Sequence, residues 1–191
     1  DRRHINDNDI FLIRKAVKRF DMEMAATCEM QKIAIKVKPD IVTLVPEKRQ
    51  EVTTEGGLDV KKQLKYLIPY IEKLQSKGIV VSLFVDPDPI QIIAASRTGA
   101  EFIEIHTGEY ANAMSNVKHR LSKLKEITNA VKMAKDVGLR VNAGHGLTLY
   151  NVRPVAKIPG IEELNIGFSI IADAVFVGLE KAVKRMKDSL M

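Results

Sequence analysis

The chain has 191 residues and a formal net charge of +6, with 46% hydrophobic and 28% charged residues, the balance of a folded globular domain. No apolar run approaches the roughly 18–20 residues of a bilayer-spanning helix, and the single cysteine, Cys28, excludes an intrachain disulfide and a Cys-rich zinc module. The basic excess suits anionic partners or simply a soluble surface, while aromatics at 5% and no Trp argue against a base-stacking nucleic-acid platform.

The opening Asp1-Arg2-Arg3-His4 has neither an initiator Met nor a signal-peptide pattern, and reads as a chain entered partway. Asn8 or Asp9 can cap a helix through Ile10, Ile13 and Val17. Phe20 to Met24 alternates as a short strand, and Thr27 starts a helix that Lys38-Pro39 ends. Ile41 to Val45 is a β-branched run of the buried parallel type, followed by a polar loop from Pro46 to Gly57. A helix from Val60 to Ser76 contains Pro69, which should kink or split it. Ile79 to Val85 is the next strand, and a helix from Pro89 to Arg97 follows. Phe102 to Ile105 is a strand leading into a loop at His106, then a long amphipathic helix spans Val117 to Asp136. Leu139 to Asn142 is a strand, Val152 to Lys157 a short helix, Glu163 to Ile166 a strand, and Ser169 to Ser189 the last helix.

Six strands therefore alternate with helices, the pattern of a parallel sheet with helical crossovers in one domain. An open doubly wound sheet would commonly carry a Gly-rich phosphate loop after its first strand, and neither G-x-G-x-x-G nor G-x-x-x-x-G-K-[ST] occurs. A (β/α)8 TIM barrel needs eight units and about 250 residues. The expectation is a single TIM-barrel domain over 1–191, N-terminally incomplete by about two strands and roughly 50 residues.

Polar residues gather where the strands end: Glu23, Glu47-Lys48-Arg49, Asp86, Glu104 with His106-Thr107-Gly108, Asn142 to Gly146, and Asn165 to Gly167. In parallel α/β folds those ends share the rim that hosts active sites. Glu23 lies between Met22 and Met24; if the methionines face the helices, Glu23 faces the interior and suits proton transfer, the alternative being a buried salt bridge. Glu104 carries the same two readings. His145, between Gly144 and Gly146, suits a general acid or base, and the glycines let the backbone approach an anion. Gly167, just before a helix, can do the same. His119, between Lys118 and Arg120 on a polar helix, reads as solvent-exposed, and Cys28, with no base near it in sequence, as structural. The four histidines lack ligand spacing, so no metal is expected.

The stretch Val45-Pro46-Glu47-Lys48-Arg49-Gln50-Glu51-Val52-Thr53-Thr54-Glu55-Gly56-Gly57-Leu58-Asp59 resembles the signature of the pyridoxine 5′-phosphate synthase family. So do Phe102 to Gly108, Val141 to Leu147 and Glu163 to Gly167, in order and over essentially the whole chain. The resemblance implies a TIM barrel that joins 3-amino-2-oxopropyl phosphate to 1-deoxy-D-xylulose 5-phosphate, giving pyridoxine 5′-phosphate, inorganic phosphate and water. It implies no metal or organic cofactor, a cytoplasmic location, a homo-octamer, and no nucleic-acid or membrane partner. By position it makes Glu23 a general acid/base, His145 a proton donor and Glu104 a transition-state stabiliser. His4 and Thr53 would contact the deoxyxylulose phosphate; Gly146 and Gly167-Phe168 would hold phosphate or the amino-ketone. Two departures stand out: Phe168 replaces a histidine frequent in the family, and the family's first two strands, with further histidine and arginine residues, have no counterpart here.

Two rival readings are weaker. The first is another phosphate-handling TIM barrel, such as an aldolase or an indole-glycerol-phosphate-type synthase; a Schiff-base aldolase would need a lysine inside a strand, and none of the expected strands has one. A nucleic-acid-binding domain would cluster its basic residues, and here they are spread over helix faces.

Overall fold

In the computed structural model the described residues are 5–46 and 56–190. They form nine helices and six strands in strict chain alternation of strand and helical connection. The strands are β1 (Asp21–Ala25), β2 (Ile41–Val45), β3 (Val80–Val85), β4 (Phe102–His106), β5 (Arg140–Gly144) and β6 (Ile161–Asn165). All pair in parallel in the order β1-β2-β3-β4-β5-β6. The helices are α1 (Asp7–Ala16), α2 (Cys28–Val37), α3 (Val60–Gln75), α4 (Pro89–Ser96), α5 (Gly108–Asn112), α6 (Val117–Asp136), α7 (Val152–Ala156), α8 (Phe168–Val177) and α9 (Leu179–Ser189).

Register divides the sheet into two chemically distinct faces. Met22, Met24, Val42, Leu44, Val81, Leu83, Ile103, Ile105, Val141 and Ala143 alternate along the strands and join the helices in one apolar core. That core includes Leu67, Ile71 and Leu74 of α3, and Ile127, Val131 and Ala134 of α6. Each such Val, Leu, Ile or Met side chain contributes roughly 1.5–3 kcal/mol on burial, so the register of every strand is fixed by its helix-facing residues. The intervening positions belong to the other face: Asp21 and Glu23, Thr43, Ser82 and Phe84, Phe102, Glu104 and His106, Asn142, and Asn165. Among the described residues the apolar core gathers on the helix-covered face, which leaves this face to polar residues and two phenylalanines.

The sheet is strongly curled. Laid flat, five inter-strand gaps of about 4.8 Å would put its edges about 24 Å apart. Yet Arg19, just before β1, forms an ion pair with Glu163 of β6. Two side chains cannot bridge such a span, so the polar face is concave.

Local chemistry explains where the elements differ from expectation. Asn6, not Asn8 or Asp9, caps α1, in a reciprocal capping box with Asp9. The β1 strand extends to Ala25, which pairs with Val45, so Glu23 lies in mid-strand. Pro69 does not split α3: Leu67, Tyr70, Ile71 and Leu74 are buried on either side of it and hold both halves to the core. The final helix is divided at Gly178, whose φ of 84° lets it end α8 and begin α9. His106 is the last residue of β4, not loop, and after Thr107 a short helix, α5, begins.

Candidate active site

The C-terminal ends of β3, β4, β5 and β6 bring the chemistry together on the concave face. Glu104 is 3% exposed. The Asn165 side-chain amide of β6 donates to its Oε2 at 2.7 Å, so the partner shown is an amide. Gly144 lies against the same carboxylate: a Cβ there would collide with Glu104 Oε1 and come within 2.9 Å of the Asn165 carbonyl oxygen. Glycine at 144 thus makes room for Glu104, a different reason from the anion approach expected of it.

One residue further up the same face pattern, His106 pairs in register with Gly144. Its Nδ1 is 2.9 Å from Asp86 Oδ1, just beyond β3. The histidine side chain is buried, and Asp86 is half-exposed. The hydrogen bond with His106 holds the Asp86 carboxyl below its usual range, with a backbone hydrogen bond from Gly57 acting the same way against the opposing effect of burial. A carboxylate on one imidazole nitrogen orients the ring and favours a proton on that side. The other nitrogen, Nε2, is buried without a hydrogen-bond partner among the described residues, as are Ser82 Oγ and Asn142 Oδ1 on the same face. Unmet buried polar atoms are costly, and three on one concave face mark a surface that a polar ligand can satisfy.

His145 follows β5 with a φ of 85°, in the left-handed region. Its half-buried ring meets His106 edge-to-face at 5.3 Å between centroids and lies 5.9 Å from Phe84. Gly146 is also left-handed, at φ 72°, and a Cβ there would lie 2.6 Å from Ala111 Cβ. Ser169 Oγ of α8 donates to Leu147 O at 2.6 Å, tying the start of that helix to the loop carrying Gly146. Gly167 is the N-cap of α8, has no side-chain cap, and has open space where a Cβ would stand. Phe168 is 90% exposed.

Of the expected site residues, Glu104, His145, Gly146 and Gly167 gather around one rim. Met22 and Met24 face the helices and Glu23 shares the concave face, as the alternation predicts, and among the described residues it is exposed on β1. No strand covers its β1 flank among the described residues. His4 and Thr53 lie outside the described residues. Sequence reasoning named Asp86 and His106 as strand-end residues without assigning them work; the period of two from Phe102 through Glu104 already put His106 on the inner face. Asn142 and Asn165 were likewise passed over. Among the described residues no group of three His, Cys, Asp or Glu side chains is placed to hold a metal ion, no described helix is long and apolar enough to cross a membrane, and no strand contains a lysine.

A curled parallel sheet with acids, imidazoles and amides at the C-terminal ends of its strands defines an α/β enzyme site. The family model described as "Pyridoxal phosphate biosynthesis protein PdxJ" matches residues 1–191, and the chain belongs to this family. It is 55% identical to the pyridoxine 5′-phosphate synthase of Synechocystis sp. over 192 residues, covering 100% of this chain and 79% of that protein. With the pyridoxine 5′-phosphate synthase of Geotalea uraniireducens it shares 57% over 189 residues, 98% of this chain and 79% of the relative. Among solved structures it is similar to KGPDC from Streptococcus mutans, with a TM-score of 0.63 at 14% identity, covering 95% of this chain and 76% of that one. A xylose isomerase domain protein from Planctomyces limnophilus gives 0.54 at 11% identity, covering 92% and 73%. At such identities these two likenesses concern the fold alone.

Proposed function

We propose that this chain is a pyridoxine 5′-phosphate synthase: it condenses 3-amino-2-oxopropyl phosphate with 1-deoxy-D-xylulose 5-phosphate to pyridoxine 5′-phosphate, phosphate and water. The observation that carries this reading is the coincidence of family membership with the Glu104–Asn165 and His145 cluster on one rim. Amine–ketone condensation passes through cationic, iminium-like species. A buried carboxylate held by Asn165 stabilises such charge without reorganising, which is the role proposed for Glu104. His145 donates the proton that lets a hydroxyl leave, and Glu23, on the same face, shuttles protons in other steps. Both substrates carry phosphate. Backbone N–H groups around Gly146 and at the uncapped start of α8, Gly167-Phe168, are the proposed phosphate donors. His4 and Thr53 are proposed to contact the deoxyxylulose phosphate.

In the same reading the curled sheet is part of a (β/α)8 barrel completed by two further strands. The pairing of Arg19 with Glu163 across the concave face supports that curvature, and the relatives' greater length supports the strand count. We also propose a cytoplasmic homo-octamer. Its support is an exposed apolar surface on α8 and α9, with Phe168, Val175, Phe176 and Leu179, of the kind that further chain or a neighbouring subunit covers. The test is turnover of the two phosphorylated substrates by the purified full-length enzyme, with Glu104→Gln and His145→Ala as comparisons. Full activity in both variants would refute the assignment of this rim.

A further inference from the structure

We infer that the His106-Thr107 dipeptide, anchored through Asp86, is the positioning device for His145. The inference rests on the proposed role of His145 as proton donor and adds the residues that aim it. Two independent sets of contacts converge on the one residue.

The first set acts on the backbone. Thr107 is fully buried. Its N–H donates to the Gly144 carbonyl at 2.8 Å. Its hydroxyl lies 2.8 Å from the same oxygen and 2.6 Å from the His145 carbonyl oxygen, so one hydroxyl proton serves both acceptors. These bonds clasp the peptide units on either side of the His145 Cα. That clasp matters because His145 is one of two non-glycine residues with positive φ among the described residues. A side chain in the left-handed region stays there only when its surroundings over-determine it. Here the conformation directs the ring back over the strand ends instead of away from them.

The second set acts on the ring. His106 meets His145 edge-to-face, and Phe84 contacts both rings, at 5.0 Å from His106 and 5.9 Å from His145. His106 cannot turn freely, because Asp86 holds its Nδ1. Asp86 in turn is fixed from the loop side: a Cβ on Gly56 would lie 2.8 Å from Asp86 Oδ2, and Gly57 packs on the Asp86 and Val85 backbone. The imidazole of His145 therefore rests on a wall that is itself locked. Among the described residues, the titratable groups these contacts place near it are His106 and, beyond it, Asp86, with Glu104 two residues before His106 on the same face of β4.

A proton donor misplaced by about an ångström can lose on the order of 10²-fold in rate, so aim is the property such contacts supply. The experiment uses full-length enzyme carrying Thr107→Val, Thr107→Ser, Asp86→Asn or His145→Ala. The readouts are kcat and KM across pH, and the His145 ring resonances by NMR. Thr107→Val keeps shape but removes the hydroxyl. It should lower kcat by roughly 10-fold or more with KM changed less than about threefold, and should move the His145 resonances. Thr107→Ser, which restores the hydroxyl, should recover most of the loss. Asp86→Asn removes a negative charge near the donor, so the high-pH limb of kcat should move to lower pH. Wild-type kcat, pH profile and His145 resonances in Thr107→Val, beside an inactive His145→Ala, would overturn the positioning role. Full turnover in His145→Ala would instead overturn the donor assignment, and the NMR comparison would then still decide whether Thr107 positions the ring.

Discussion

Asp21 lies at the N-terminal end of β1, the end opposite the rim that carries Glu104 and His145, yet its carboxyl group is strongly perturbed. Burial raises its pKa from 3.8 to about 6, aided by the charges of Glu23 and Glu163 and opposed by the Thr43 hydroxyl and Arg19. Thr43 Oγ1 lies 3.0 and 2.9 Å from the two carboxylate oxygens, so it donates to the ionised form and limits the rise. The folded state holds the Asp21 proton more tightly than the unfolded chain does. The associated stability is therefore fully present below the unfolded pKa near 4, and is lost as pH rises through the folded value near 6. A displacement of about two pH units corresponds to roughly 3 kcal/mol as an upper figure, since one unit is about 1.4 kcal/mol. Asn at this position keeps an acceptor for Thr43 and carries no charge. We therefore expect Asp21→Asn to be close to neutral at about pH 4 and stabilising by up to about 3 kcal/mol at about pH 8. Urea unfolding of both proteins at several pH values measures the difference directly, provided the slope with denaturant is unchanged. A stability difference independent of pH, or one that grows toward acid, would refute the reasoning. Turnover should fall far less than in the rim variants.

Four further outcomes follow from the concave face and its rim. Glu104→Gln should leave the fold intact, because the Gln oxygen can still accept from Asn165, but should cut turnover by roughly 10²-fold through loss of the fixed charge; circular dichroism with kcat measurement checks both. Gly144→Ala should destabilise the fold by about 1–3 kcal/mol by thermal unfolding, since the new methyl group must displace Glu104 or Asn165, and activity should fall with it. Gly167→Val meets open space, so calorimetry should show weaker binding of a phosphorylated substrate with little change in melting temperature; equal affinity would count against an anion site at the start of α8. Glu23→Gln separates two roles for that exposed carboxylate: roughly 10²-fold lower turnover supports proton transfer, and unchanged turnover removes Glu23 from the mechanism.

Much of this protein is legible in its sequence, because parallel α/β order follows from hydrophobic period alone. The β-branched runs at Ile41–Val45 and Val80–Val85 and the alternation of Met22 and Met24 around Glu23 determine strands and faces, since each helix-facing side chain must find the core. The motif residues of the rim, Glu104, His145 and Gly167, are likewise visible, because strand ends in such a sheet share one side. Boundaries are less legible where capping decides them, as at Asn6 and Gly178, because a single side-chain hydrogen bond or one residue of positive φ sets where a helix starts or stops. What only the tertiary structure decided are the pairings between strands distant in sequence. Asn165 reaches Glu104 across 61 residues, Arg19 reaches Glu163 across 144, and Asp86 locks His106 from the neighbouring strand. No periodicity encodes such contacts: they depend on the curl of the sheet and on rotamers chosen to satisfy buried polar groups. The same physics sets Asp21 apart: its burial beside Thr43, which raises its carboxyl, follows from packing that no periodicity encodes.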